Sequence, residues 1–426
     1  MFRNIINDMA SWYETSQEKV LLVKGALGVG KTWSVQDFGS AFFKQTIMID
    51  LSNDGFAKKI LQDNLEEFSL YVDTQVKSEF QKSEVLIVFD EVQVMDYDIH
   101  GIMEYISTKP GYYFCMIASY MGSLIGEDEY LDSLEVINLM PLTFEEFLIA
   151  NKAQNLCKYI EKQRVTQVDE VIIQRIIDYL KVFFVVGGMP EIVAEYIKSN
   201  DIQGIDKLQK GQLIKYRGYI SKKAPKNILE KVLKIWDSIP AQLTKDNRKF
   251  MYGYVDEKAR AREYESATNW LVDNGLLRRV FKVEKGLVPL KEHIDKKSFE
   301  LYHLDHGLLR QMKGLNGSKL LARTNLFDAM EGALVEQMVL AELTLNANVK
   351  ELYFWISGAT ARIDFLFEDD GEVIPVDVQS TIRTKAQSIK VFQQKYNNRM
   401  AIRISLGELN FSKGVLNIPL YGLWNF

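Results

Sequence analysis

The chain is short of several things. It has 426 residues and only two cysteines, Cys115 and Cys157, which excludes a disulfide-built scaffold and suits a reducing compartment. Neither cysteine stands in a pattern with a histidine and an orienting acid. Histidines number four, and only "YHLDHGLLR" (302–310) brings His303, Asp305 and His306 close together. A third strong metal ligand is missing there, so a turn or helix-start role is expected. No stretch approaches the ~18 apolar residues needed to cross a membrane. The first residues, "MFRNIINDMASWYETSQEKV", lack the apolar core of a secretory signal. A cytoplasmic protein with no membrane partner is therefore expected. Pro/Gly/Ser-rich linkers, internal repeats and low-complexity tracts are also missing, so the domains are expected to pack directly.

Charge is nearly balanced overall, at −5, but unevenly spread. Residues 1–160 hold 12 Lys/Arg against 24 Asp/Glu, whereas residues 207–250 hold 12 Lys/Arg against 3 Asp/Glu. Such asymmetry marks either a surface for a polyanion, DNA or RNA, or a solvated helical face.

The pattern of apolar residues is that of an α/β protein. The runs "KVLLVK" (19–24), "TIMIDL" (46–51), "VLIVFD" (85–90), "YYFCMIAS" (112–119) and "LEVINL" (134–139) alternate with amphipathic stretches. That alternation predicts a parallel sheet covered on both faces. From about 142 to 280 the pattern is helical, as in "TFEEFLIANKAQNLCKYIEKQ" (143–163). A helix over 329–346 and strand-like runs at 351–356, 361–368, 372–379 and 400–405 predict a second α/β unit.

"GALGVGKT" (25–32) satisfies G-x-x-x-x-G-K-[ST] at every fixed position, between a strand and a helix. Glycines at 25, 28 and 30 let backbone N–H groups turn toward a phosphate. The following helix N-terminus adds partial positive charge. Lys31 is suited to the β- and γ-phosphates and the Thr32 hydroxyl to Mg²⁺. The expected nucleotide-binding stretch is Gly25, Ala26, Leu27, Gly28, Val29, Gly30, Lys31, Thr32 and Trp33. "VLIVFDEVQ" (85–93) ends an apolar strand in Asp90, a second Mg²⁺ ligand, and Glu91, the candidate to orient and deprotonate the attacking water. No Asn-Lys-x-Asp motif for guanine is found, which favours ATP.

With these motifs in place, the chain resembles bacterial and archaeal AAA-type ATPases that carry a C-terminal domain of unknown function related to the restriction-endonuclease fold. The resemblance extends through "MPLTFEEFL" (140–148), "GGMPEIV" (187–193), "NRKFMYGYV" (247–255), "ELYHLDHGLLR" (300–310), "GALVEQMVLAEL" (332–343) and "YFWISGATARIDFLF" (353–367). It implies a P-loop ATPase core over 1–160, a helical and winged-helix-like region over 161–310 (the winged helix near 228–284), and a nuclease-fold-like domain over 320–426. It also implies that Ser119, ending its strand, senses the γ-phosphate. Ring-forming relatives use an arginine finger, and Arg260, Arg262, Arg278 and Arg279 are available. Assembly into an oligomer is allowed.

In the nuclease fold, acids from a helix and two strands hold Mg²⁺, and a lysine two residues past the last acid activates water. Glu336, Asp364 and Asp377 match the acids. In "IPVDVQS" (374–380), however, Gln379 stands where lysine belongs, with Lys385 or Lys390 as substitutes. The expected function is a Mg²⁺- and ATP-dependent switch or remodeller whose nuclease-like domain does not cut but binds nucleic acid or a protein partner. A nucleotide-gated interaction module with negligible turnover and an ATP-regulated nuclease are the alternatives.

Overall fold

The five apolar runs become a five-stranded parallel sheet. The structure, a computed structural model, describes residues 1–15, 18–162, 169–244, 248–323, 332–346, 348–358, 361–380 and 387–425. The strands are β1 (Val20–Gly25), β2 (Gln45–Asp50), β3 (Val85–Asp90), β4 (Tyr113–Ala118) and β5 (Leu134–Leu139), in the order β2-β3-β4-β1-β5. β1 and β3 are buried at every residue because helices cover both faces, while the edge strands β2 and β5 are partly exposed. Because β4 lies between β1 and β3, the carboxyl ends of these three strands are neighbours, where ligands of open α/β sheets bind. Phe68, Phe89, Tyr105 and Phe114 fill the core on one face. Phe68 meets Tyr105 edge-on at 4.8 Å between ring centroids. Truncating an aromatic at such a site costs about 3–5 kcal/mol.

Two compact units are distinguished, one of Phe2–Met140 with Val272–Leu276, the other of Met1, Pro141–Leu271 and Leu277–Phe426. The first contains the parallel sheet. The second begins with helices. A capping box between Thr143 and Glu146 starts the helix Phe144–Ala150. The stretch 143–163, which reads as one helix, breaks at Lys152, whose φ is +59°, and a second helix starts at Gln154. Helices Glu170–Val186, Pro190–Ser199, Ile202–Lys223, Leu229–Gln242 and Ala261–Asp273 follow.

Two of the family-like motifs meet inside this unit. Gly187 has φ +80°, and a Cβ there would lie 2.5 Å from the Asp305 carboxylate. Asp305 accepts from the Gly188 N–H at 2.7 Å and, as the N-cap of helix His306–Met312, from Leu308 N–H at 2.8 Å. One carboxylate thus ties "GGMP" to "HLDHG", which explains both motifs without chemistry.

The second sheet has eight strands, β6 (Leu277–Val283), β7 (Ile294–His303), β8 (Tyr353–Ser357), β9 (Ala361–Asp369), β10 (Glu372–Val378), β11 (Ala401–Ser405), β12 (Asn410–Ser412) and β13 (Val415–Pro419). Their order is β12-β13-β11-β10-β9-β8-β6-β7. Helix Gln387–Tyr396 covers one face, with Ile389 and Phe392 packed among Tyr353, Trp355 and Ile363. Around 228–284 two helices precede β6, as a winged helix would require. The hairpin partner β7 lies beyond that range, and β6 also pairs parallel with β8. The hairpin is therefore one end of the larger sheet. Among the described residues no helix is long and apolar enough to cross a membrane.

Candidate nucleotide site and a second carboxylate cluster

The phosphate loop sits between β1 and helix Lys31–Phe42. Gly28 and Gly30 have φ of +82° and +95°, a backbone that favours glycine, and a Cβ on Gly25 would come within 2.5 Å of the Leu139 carbonyl. The loop is braced from behind by Arg3, whose buried guanidinium donates to Val29 O at 2.8 Å and Met140 O at 2.6 Å. Lys24 and Glu127, both buried, pair at 3.0 Å one residue before the loop. The turn Val272–Leu276 belongs to the same unit: the Asp273 carbonyl accepts from Met121 and Gly122, and a Cβ on Gly275 would meet Ala26 Cβ at 3.2 Å.

Lys31 is buried, and its Nζ donates to the Ala26 carbonyl at 2.9 Å. Burial pushes its pKa down to about 8, against the pull of Glu91 and Asp90. A nearly dehydrated ammonium has no carboxylate at ion-pair distance among the described residues. The Thr32 hydroxyl donates to Asp90 Oδ2 at 2.7 Å, so the two expected Mg²⁺ ligands touch. Burial raises the pKa of Asp90, with the Thr32 hydrogen bond working against it. These residues fit a polyphosphate with its divalent cation: glycines leave room for the anion, a buried cation needs one, and a hydroxyl and a carboxylate stand together. Trp33 is the outlying member of the stretch, 43% exposed.

Glu91 follows Asp90 with φ +58°, a left-handed backbone rarely used outside glycine. Its carboxylate is held from two sides. Oε1 accepts from the Ser119 hydroxyl at 2.7 Å, and Oε2 accepts from Gln93 Nε2. The Gln93 amide oxygen in turn accepts from the Ser119 backbone N–H at 2.9 Å. Gln93, Arg3 and the Lys24–Glu127 pair escape a reading of motifs. Only Gln93 leaves a trace in sequence, as a polar residue two past the acid in "DEVQ".

The second cluster lies on the eight-stranded sheet. The register that pairs Val376 with Phe365 and Asp377 with Arg403 sets Asp364, Asp377 and Arg403 in one row across β9, β10 and β11. Helix Gly332–Thr344, buried along most of its length, brings in Glu336. These acids are met by guanidinium groups. Glu336 pairs with Arg248 and lies 3.6 Å from Arg362. Arg362 binds Glu300 with two nitrogens, at 2.5 and 3.0 Å, and Asp364 at 3.0 Å. The Tyr302 hydroxyl donates to Glu300 at 2.8 Å. Burial works against the charge on Arg362, but Glu300 and Asp364 outweigh it and raise its pKa. Asp377 accepts from Gln379 Nε2 at 2.5 Å and lies 3.8 Å from Arg403. Burial and the neighbouring Asp364 raise the Asp377 pKa, against Gln379 and Arg403. Among the described residues no group of three or more His, Cys, Asp or Glu side chains is arranged to hold a metal. Lys385 lies outside the described residues, and Lys390 is exposed on helix Gln387–Tyr396.

The remaining candidates divide by environment. His303 Nδ1 accepts from the Asp305 N–H at 3.1 Å, and His306 Nε2 lies 2.9 Å from the Phe183 carbonyl. Burial lowers both pKa values, that of His303 to about 4. Arg278 reaches the Thr344 hydroxyl at 2.8 Å and Arg279 reaches Asn269 at 2.6 Å, whereas Arg260 and Arg262 are exposed. In the basic segment, Lys215 pairs with Glu191, Arg217 with Asp237, and Lys234 with Glu230 and Asp256. Lys222, Lys223 and Lys226 are exposed without an ion pair among the described residues.

Comparison with known proteins divides the chain in three. Residues 17–148 match the AAA domain family. Residues 177–319 and 331–422 match two families described as domains of unknown function, DUF8612 and DUF4143. No protein of curated function matches in sequence. Similar solved structures include the Walker-type ATPase PABY2304 of Pyrococcus abyssi, at 12% identity and TM-score 0.44, over 73% of this chain and 95% of that one. Caenorhabditis elegans PCH-2 is similar at 12% identity and TM-score 0.30, over 46% of this chain and 62% of that one. The Pif1 helicase of Candida albicans is similar at 11% identity and TM-score 0.24, over 41% of this chain and 47% of that one.

Proposed function

We propose that this chain, which carries a P-loop ATPase domain of AAA type, binds Mg²⁺-ATP at the carboxyl ends of β1, β4 and β3 and hydrolyses it as a nucleotide-driven switch or remodeller. The observation that carries this reading is the Thr32–Asp90 hydrogen bond of 2.7 Å beside the buried Lys31. It joins the two motifs at the point where a cation and a triphosphate need them. Gly25 to Thr32 would cradle the phosphates with backbone N–H groups, and Lys31 would hold the β- and γ-phosphoryl charge. Mg²⁺ held by Thr32 and Asp90 would neutralise charge on the phosphate oxygens. Glu91 would orient the attacking water and take its proton.

The eight-stranded unit is proposed to bind rather than cut. Glu336 and Asp364 carry arginine partners, and Gln379 supplies no positive charge beside Asp377. The exposed Lys222, Lys223 and Lys226 favour a polyanion, DNA or RNA, as the bound partner.

The test is nucleotide binding and turnover in purified wild type, Lys31→Ala and Glu91→Gln. Lys31→Ala loses ATP affinity by about 100-fold or more. Glu91→Gln keeps ATP affinity within a few-fold and loses turnover by about 10². Equal ATP affinity in Lys31→Ala and wild type refutes the site.

A further inference from the structure

The chain has six tryptophans, and they divide five to one. Trp12, Trp236, Trp270, Trp355 and Trp424 each pack against another aromatic ring. Trp33 is 43% exposed, and among the described residues its side chain meets no ring and no hydrogen-bond partner. An indole carries the largest apolar face of any side chain, so leaving it in water forgoes the burial that the other five obtain.

The phosphate loop sets its place. Trp33 is the third residue of the 12-residue helix Lys31–Phe42. The bond from Ser34 N–H to Gly30 O, 2.9 Å, opens that helix, and the N–H groups of Lys31, Thr32 and Trp33 stand before it. Helical side chains lean toward the N-terminus of their helix, so a ring in the first turn covers the loop side. The Lys31 side chain suits the β- and γ-phosphates, and the α-phosphate falls to the first N–H groups of the helix. Beyond the α-phosphate comes the nucleoside.

We propose that Trp33 receives the base of the nucleotide and that its indole stacks on the face of a purine. The loop, Lys31, Thr32 and Asp90 address only phosphate and cation, which tripolyphosphate offers as well as ATP does. A stacked indole supplies the apolar contact that turns a polyphosphate site into a nucleotide site. Stacking recognises a π-face and not hydrogen-bonding edges, so Trp33 grips adenine and guanine alike and the smaller pyrimidines less. The proposal rests on the reading of this site as an ATP site. It adds which side chain holds the base.

The test compares the binding of Mg²⁺-ATP and Mg²⁺-tripolyphosphate to the full chain by calorimetry, and is read as the ratio of the two affinities. Trp33→Ala lowers that ratio by roughly 5- to 50-fold. Trp33→Phe keeps it within about 3-fold of wild type, because a ring remains, while Trp33→Leu, apolar but without a π-face, falls with Trp33→Ala. The ratio sets aside damage to the loop, which would weaken both ligands together. UTP in place of ATP gives a smaller loss in Trp33→Ala. In wild type, ATP changes the tryptophan emission and tripolyphosphate does not, and the change is absent in Trp33→Phe. An unchanged ratio in Trp33→Ala overturns the proposal and makes the exposed indole a contact for a protein partner. A ratio as high in Trp33→Leu as in wild type overturns stacking. Wild type that binds neither ligand overturns the ATP site and the base contact together. Wild type that binds both ligands equally overturns the base contact alone.

Discussion

Two groups of carboxylates in this chain are held by opposite means. Asp90 and Glu91 are met by neutral donors: the Thr32 and Ser119 hydroxyls and the Gln93 amide. Glu300, Glu336 and Asp364 are met by guanidinium groups from Arg248 and Arg362. A hydroxyl orients a carboxylate and leaves its charge in place. A guanidinium orients it and cancels the charge. In the proposed reading only the first kind of site attracts a divalent cation, and the partners of the acids, more than the acids, decide which cluster is chemical.

The difference can be broken first at its strongest point. If the arginine network holds the eight-stranded unit together, Arg362→Ala leaves Glu300 buried without its partner and destabilises the fold by about 3–5 kcal/mol. Chemical denaturation measures this. A change below about 1 kcal/mol would mean that the carboxylates are solvated, and so available to a metal.

The nucleotide cluster makes a prediction in pH. Lys31 has its pKa lowered by burial to about 8 from 10.5, so between these values it is neutral in the free fold and charged when unfolded. The folded state's penalty for Lys31 is therefore fully present below pH 8 and is relieved as pH rises toward 10.5. A bound triphosphate restores the charge. ATP binding at pH 8–9 should then take up as much as one proton, and affinity should fall by up to about tenfold per pH unit above 8. Titration calorimetry in buffers of different ionisation enthalpy reads the uptake. It should vanish in Lys31→Arg, whose guanidinium stays charged. Equal uptake in both proteins would assign the proton elsewhere.

The smallest effect tests three exposed lysines that have no ion pair among the described residues. Reversing Lys222, Lys223 and Lys226 to Glu should weaken DNA or RNA binding irrespective of base sequence and reduce the salt slope by about 2–3. No binding by wild type at low ionic strength would make these lysines a solvated face and favour a protein partner.

How much of this was legible in the chain follows the range of the interactions. β3 runs over the residues that its apolar pattern marks, because burial on both faces leaves a continuous run. The phosphate loop was readable for a similar local reason: glycine spacing and a Lys-Thr pair encode the backbone path. The break at Lys152 and the hairpin strand β7 were not, since a single left-handed residue and a half-buried strand change no period strongly. Least legible were the partners of the acids. Glu336 and Arg248 are far apart in sequence, and nothing in "GALVEQ" announces that a guanidinium will meet that side chain. Gln379 broke the expected pattern of acid and lysine, but the arginines that meet the acids required the fold. Gln93 lay in view beside a recognised motif, and its hydrogen bond from the Ser119 N–H depended on the neighbouring strand.

The claim that the partners decide the chemistry is tested most directly by counting bound Mn²⁺ through its paramagnetic resonance, with and without a non-hydrolysable ATP analogue. One tightly bound ion per chain is expected, present only with nucleotide. It should be lost in Asp90→Ala and unaffected in the double variant Asp364→Ala, Asp377→Ala. An ion bound without nucleotide and lost in that double variant would contradict it, and would make the eight-stranded unit a metal centre.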